Sequence, residues 1–254
     1  MMKGSALLTI MGLIGIIPIA AQTKFLDLCQ SGTAGEISQA LQAGASANET
    51  DKYGMTALLI AAEYNRDPDA ITALVKAGAS VTAKNNTGWM PLHEAAMYNK
   101  NPEIITRLLR AGASLSERDN QRQTPLLVAA KLNSNIDVIA TLLKAGAAVT
   151  DRDDHGRTPL MDAADSNPSL GALVALLQAG SQVNARDRDG KTALMYAASD
   201  NPDPAVISAL LNAGADGAAK DHMGKTAFDY AVSGNEELQG TEAFVALQKS
   251  AQGK

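Results

Sequence analysis

The chain has 254 residues, a formal net charge of −5, 4% aromatic residues and one cysteine. A lone cysteine excludes a disulfide framework within the chain and a cysteine-based zinc site. The acidic balance argues against a nucleic-acid partner, which needs a basic face. With 19% charged and 46% hydrophobic residues the composition is that of a folded globular chain, and its many alanines and few aromatics favour short, closely packed helices.

Met1 to Lys3 carry the first positive charges. An uncharged apolar run from Ala6 to Ile17 follows, then Pro18, then small residues at Ala20 and Ala21. This order is that of a secretory signal peptide, with cleavage expected after Ala21, and it predicts a periplasmic or secreted protein without a membrane contact after cleavage. The alternative is a membrane anchor through an uncleaved N-terminal helix, although the strongly apolar part is shorter than the roughly 20 residues a spanning helix prefers.

From there to the C-terminal region a period of 34 organises the chain. Thr56, Met90, Thr124, Thr158, Thr192 and Thr226 form one column. Gly44, Gly78, Gly112, Gly146, Gly180 and Gly214 form a second. Asn65, Asn99, Asn133, Asn167 and Asn201 form a third, and Asp51, Asn85, Asp119, Asp153, Asp187 and Asp221 a fourth. A fixed period of this size marks a stack of repeated supersecondary units.

The Thr column is expected to cap a first helix, with Pro at its first position in Thr124-Pro125 and Thr158-Pro159. That helix continues through paired alanines such as Ala95-Ala96, whose small size allows close helix contact, and the Asn column is expected to end it in the left-handed conformation. A second helix begins behind Asp67, Asn101, Asn135, Ser169 and Asp203 as caps. Its buried face follows helical spacing, as in Ile105-Leu108-Leu109 and Ile139-Leu142-Leu143. An Ala-Gly-Ala segment stops it with glycine in the left-handed cap. The Asx column and glycines such as Gly54, Gly88 and Gly156 then supply the turn to the next Thr.

The expected organisation is a signal peptide over 1–21, a degenerate N-terminal unit over 22–52, and full units over 53–86, 87–120, 121–154, 155–188 and 189–222. A C-terminal capping unit covers 223–252. Gly171 in a second helix is expected to soften its unit by roughly 1 kcal/mol relative to Ala. Gly217 breaks a column that is aliphatic at Val81, Leu115, Val149 and Val183, and Arg122 stands where the other full units carry the turn glycine. Cys29 falls beside the paired-alanine position of the first unit, so it is expected in the core.

Gly156-Arg157-Thr158-Pro159-Leu160 and Trp89-Met90-Pro91-Leu92-His93-Glu94-Ala95-Ala96 resemble the ankyrin repeat, and the likeness extends over roughly residues 22–252. The tetratricopeptide repeat has a similar period but lacks the Gly-x-Thr-Pro turn and the Ala-Gly-Ala stop. The resemblance implies an all-α ankyrin-repeat solenoid of helix-turn-helix units joined by β-turn or hairpin loops. It also implies a hydrogen-bonding role between units for His93.

Little in the sequence points to catalysis. His155 and His222 fall in unmatched columns. Asp151, Asp153 and Asp154 lack the terminal glutamate of a calcium loop and read as solvated turn charges. There is no Gly-x-Ser-x-Gly and no phosphate-binding loop. No enzyme activity, cofactor or metal is expected. A metal or small-ligand binder is the third class of function the sequence leaves open.

In ankyrin proteins, targets are touched by residues flanking the turn glycine and by the two residues after the paired alanines. Carried over to this chain, the only Trp and three of the five Tyr fall at such positions in the first two full units, whereas charges fill the later ones. Aromatics and Met are favoured at interface hot spots. The expected partner-binding patch is Tyr53, Met55, Tyr64, Trp89, Met97, Tyr98 and Leu132, on a monomer whose partner is a protein. Replacing Trp89 and Tyr98 by alanine is expected to weaken capture and leave the thermal midpoint nearly unchanged. The function expected is a non-catalytic scaffold in the bacterial periplasm, such as an accessory to a stress-response enzyme. A secreted effector acting on a host protein is the alternative.

Overall fold

The computed structural model describes residues 19–252, so most of the expected signal segment lies outside the described residues. The described residues form paired helices joined by tight turns. The first pair is α1 (Ile19–Ser31) and α2 (Ala34–Gln42). Then come α3 (Ala57–Tyr64) with α4 (Pro68–Lys76), α5 (Pro91–Tyr98) with α6 (Pro102–Arg110), and α7 (Pro125–Leu132) with α8 (Ile136–Lys144). The series continues through α9 (Pro159–Ser166) with α10 (Leu170–Gln178), and α11 (Ala193–Asp200) with α12 (Pro204–Asn212). It ends in α13 (Ala227–Gly234), a short 3₁₀ turn (Glu236–Leu238) and α14 (Glu242–Ala251). Odd-numbered helices pack side by side in one row and even-numbered ones in a second. This is the all-α solenoid the period predicts. Among the described residues no helix is long and apolar enough to cross a membrane.

The core lies between the two rows. Leu58, Leu92, Leu126, Leu160 and Leu194 project into it from the odd helices, Ile71, Ile105, Ile139, Leu173 and Ile207 from the even ones, and all are buried. Paired alanines at 61–62, 95–96, 129–130, 163–164 and 197–198 are buried as well, which lets the odd helices approach closely. Cys29 is fully buried, and burial pushes its thiol up to about 12, so it is an inert core residue.

Helix starts follow the sequence closely. Thr56, Thr158 and Thr226 accept from the third helical N–H. Thr124 and Thr192 stand at the same position without that bond, and their buried hydroxyls have no partner. Where Met90 replaces Thr, His93 reaches back and its Nδ1 accepts from Met90 N at 3.4 Å. Asp67, Asn101, Asn135 and Asp203 cap the second helices, whereas Ser169 makes no cap bond. Even helices from α2 to α12 stop on Ala, with the following glycine at positive φ, as at Gly112 (φ 96).

The Asn column behaves differently from its expectation. Asn65, Asn99, Asn133, Asn167 and Asn201 end the odd helices with extended backbone, at φ −72 and ψ 137 for Asn65, so none is a left-handed cap. Each is buried, and its side chain looks backward along the stack. Asn99 Nδ2 donates to Ala62 O (2.9 Å) and Asn65 O (2.8 Å), and Asn133 Nδ2 donates to Ala96 O (2.8 Å) and Asn99 O (3.0 Å). The Oδ1 of the same side chain accepts the N–H of the next cap residue, 2.9 Å from Asn101 N and from Asn135 N. The physical reason is local. Carbonyls at a helix C-terminus have no partner within their own helix, and a side-chain amide from the next unit satisfies two of them.

Two glycines make room for neighbours. Gly171 lies in the first turn of α10 rather than its interior, and a Cβ there would come within 2.9 Å of Ile136 Cδ1 from the preceding unit. The penalty expected for a mid-helix glycine is therefore reduced. A Cβ on Gly217 would collide with Ser250 of α14, so the break in that aliphatic column is what seats the last helix.

Candidate functional site: an aromatic and acidic groove

The turns between units run along one edge of the odd-helix row. In each, the Asx side chain organises the loop. Asn85 Oδ1 accepts from Thr87 N (3.0 Å) and Trp89 N (2.9 Å), and Asp153 Oδ1 accepts from His155 N (2.9 Å) and Arg157 N (2.8 Å). Successive turns are also joined by main-chain bonds, such as Asn86 N to Tyr53 O and Arg188 N to His155 O, both 3.0 Å. Asp151, Asp153 and Asp154 are therefore not the solvated charges expected. Asp153 is buried within its turn, Asp151 pairs with Arg118 at 2.9 Å, and Asp154 Oδ1 lies 2.8 Å from His155 Nδ1.

A groove of about 770 Å³ opens where the turns meet the odd helices of the first units. It brings together five of the residues expected in the partner patch: Tyr53, Met55, Tyr64, Trp89 and Tyr98. Tyr53, Tyr64 and Tyr98 are 60%, 55% and 49% exposed. Met97 and Leu132 do not line it. Met97 is half-buried against the core, and Leu132 is exposed outside the groove. The Trp89 and Tyr98 rings lie 5.9 Å apart, and Trp89 also stacks over His93 at 6.3 Å. Trp89 is not free, because its indole Nε1 donates to Asp119 Oδ2 of the following unit at 2.8 Å. The expectation that alanine at 89 would leave the thermal midpoint unchanged is corrected by this bond. His93 Nε2 sits 3.1 Å from Gln123 O, an inter-unit contact of the kind expected, and burial holds its pKa below the usual value.

The groove also contains carboxylates. Glu63 is the first of the two residues after the paired alanines Ala61 and Ala62, a target-facing position by the family resemblance, whereas nothing in that resemblance singles out Glu94. Glu94 lies between Ile60 and Val128 in its column, so a carboxylate between two aliphatic residues was the available signal. It is buried, with Oε1 accepting from Asn85 Nδ2 at 2.9 Å. Burial, reinforced by the neighbouring Glu63, pushes its pKa up to about 8. Burial likewise raises Glu63. The Glu63 carboxylate in turn pushes the Tyr64 phenol up to about 12.

The later units build a different surface. Tyr196 and Tyr230, also missed, donate their hydroxyls to Asp187 and Asp221 at 2.6 Å. Arg157 lies 4.2 Å over the Tyr196 ring, and Lys191 bridges the Tyr196 and Tyr230 rings at 5.5 and 4.9 Å. Arg157 also pairs with Asp162 (2.8 Å) and Asp165 (2.6 Å). Burial pushes Asp162 up to about 7 against the pull of Arg157. Here the charges and rings satisfy one another, whereas the N-terminal groove leaves its rings open.

The model of the family described as ankyrin repeats matches three times, at residues 25–119, 92–187 and 167–239. No curated protein matches the chain. Ankyrin repeats are in general protein–protein interaction modules, and the family is typically non-enzymatic. With matches extending over most of its length and a two-row stack of paired helices, the chain belongs to the ankyrin repeat family.

Proposed function

We propose that this protein is a non-catalytic scaffold that binds a partner protein through the groove of its first units. The observation that carries the reading is the cluster of Tyr53, Tyr64, Trp89 and Tyr98 around one open groove, with the three tyrosines about half exposed or more. Aromatic side chains bury large area at low rotamer cost, and interface hot spots concentrate them. The units 53–86 and 87–120 supply this groove, and the later units extend the stack. The apolar segment before α1 supports export to the periplasm with removal of residues 1–21, where the protein works as an accessory to another protein.

The test is capture from a periplasmic fraction by the immobilised chain, comparing the parent with a Tyr64→Ser, Tyr98→Ser variant. A partner retained by the parent and lost by the variant supports the reading, and equal retention by both rejects it. The mass of the exported protein tests cleavage after Ala21.

A further inference from the structure

The residues lining the N-terminal groove include four acids, Asp51, Glu63, Glu94 and Asp119, and no lysine, arginine or histidine. Two of the acids are already used. Asp51 Oδ1 accepts from Tyr53 N (2.8 Å) and Met55 N (2.9 Å). Asp119 Oδ1 accepts from Gln121 N and Gln123 N while Oδ2 takes the Trp89 indole. Glu63 and Glu94 remain, from adjacent helices α3 and α5, Glu63 engaged only by the neighbouring Tyr64 hydroxyl and Glu94 by Asn85 through one oxygen. Lys52 lies 4.8 Å over the Tyr53 ring and is not part of the lining.

Resting on the partner-groove reading above, we propose that this groove receives an arginine or lysine side chain presented by an extended segment of the partner protein, with Glu63 and Glu94 as counter-ions and Trp89 and Tyr98 as ring walls. Charge complementarity argues for a cation, since two close carboxylates repel each other until one is neutralised. The ring faces argue the same way, because aromatic quadrupoles attract cations, most strongly where water is excluded. The two terms act on one ligand group. A proton is the substitute that occupies Glu94 when no cation is there, so binding releases it. The groups facing Glu94 are Glu63 and Tyr64 from α3, Tyr98 on its own helix and Asn85 from the turn, and none of them carries a positive charge.

Trp89 is the only tryptophan of the chain and sits in the groove wall, so its emission reports occupancy. The probe is a blocked alanine–glycine nonapeptide with one central arginine, compared with the same peptide carrying citrulline or phenylalanine at that place. The full chain should bind the arginine peptide roughly tenfold more tightly than the citrulline peptide. Affinity should rise between pH 6 and pH 9 as Glu94 ionises. A Glu63→Gln, Glu94→Gln variant, shown by circular dichroism to be folded, should lose both the preference and the pH dependence. Equal binding of arginine and citrulline peptides, or a preference that survives in that variant, overturns the proposal. Tighter binding of the phenylalanine peptide overturns it too, but leaves the groove a docking site. Failure of the partner-groove reading would show instead as partner capture indifferent to Tyr64 and Tyr98.

Discussion

The indole N–H of Trp89 reaches out of its own turn and donates to Asp119 Oδ2, 2.8 Å away in the next. The most conspicuous groove residue is thus also a clamp between two units. Trp89→Phe should keep the ring wall and lose about 1 kcal/mol with the bond. Trp89→Ala should lose more, because the packing over His93 and Tyr98 goes with it. Denaturant melts of the two variants check the order, and groove binding should persist in the phenylalanine variant alone.

The buried asparagines should be among the least tolerant positions. Asn133→Ala removes two donations to Ala96 O and Asn99 O and one acceptance from Asn135 N. Leaving those buried groups without partners should cost about 3 kcal/mol, comparable to truncating a core leucine such as Leu142. Hydrogen exchange should show the loss concentrated at the junction between α5 and α7, with units remote from it nearly unaffected.

Arg122 is the only non-glycine among the described residues with positive φ, at 61 degrees, and occupies the turn position that glycine holds in the other full units. An L side chain there crowds its own backbone, and glycine does not. Arg122→Gly should stabilise by about 1 kcal/mol, seen as a rise of roughly 2–4 °C in Tm.

Glu94 gives the fold a pH dependence of defined sign. Its ordinary value is 4.5 and its folded value about 8, so between the two the folded chain holds a proton that the unfolded chain has released. Stability conferred by that proton is present at low pH and is lost as pH rises across this window, by at most about 1.4 kcal/mol per unit. Asp162 adds a second slope that ends near 7. Comparison of parent and Glu94→Gln isolates the first. Urea titrations at pH 5 and pH 8.5 should find the variant the more stable of the two at the higher value, and its decline with pH shallower.

Much of this architecture is legible in the residues because each repeated column has a local cause. Thr and Asp caps, the Ala-Gly-Ala stop and the aliphatic helix faces act within a few residues of themselves. The Asn column was misread for the opposite reason. Its backbone neighbours fit a helix end, but its hydrogen bonds run to carbonyls 34 and 37 residues upstream, which only the stacked form brings near. Glu94 was overlooked similarly. It stands inside a family-like motif, and its exceptional surroundings come from Glu63 one unit back and Asn85 in the turn. Tyr196 and Tyr230 sit in the same helix column as Glu94, and their bonds to Asp187 and Asp221 span nine residues across a turn. Tyr53, Tyr64 and Tyr98, expected at exposed positions, are exposed and line one groove. Met97 and Leu132 stand in the helix columns of Glu63 and of Tyr64 and Tyr98, one unit further along, and the groove does not extend to them.

The backward-facing amides make neighbouring units interchangeable. Were residues 121–154 excised in phase, Asn167 would find at Ala96 and Asn99 the same pair of acceptors that Asn133 uses, and Trp89 would keep Asp119. Recombination between copies of the period therefore yields shorter or longer molecules whose seams are already hydrogen-bonded, so that the reach of the scaffold is free to drift while its aromatic end is preserved.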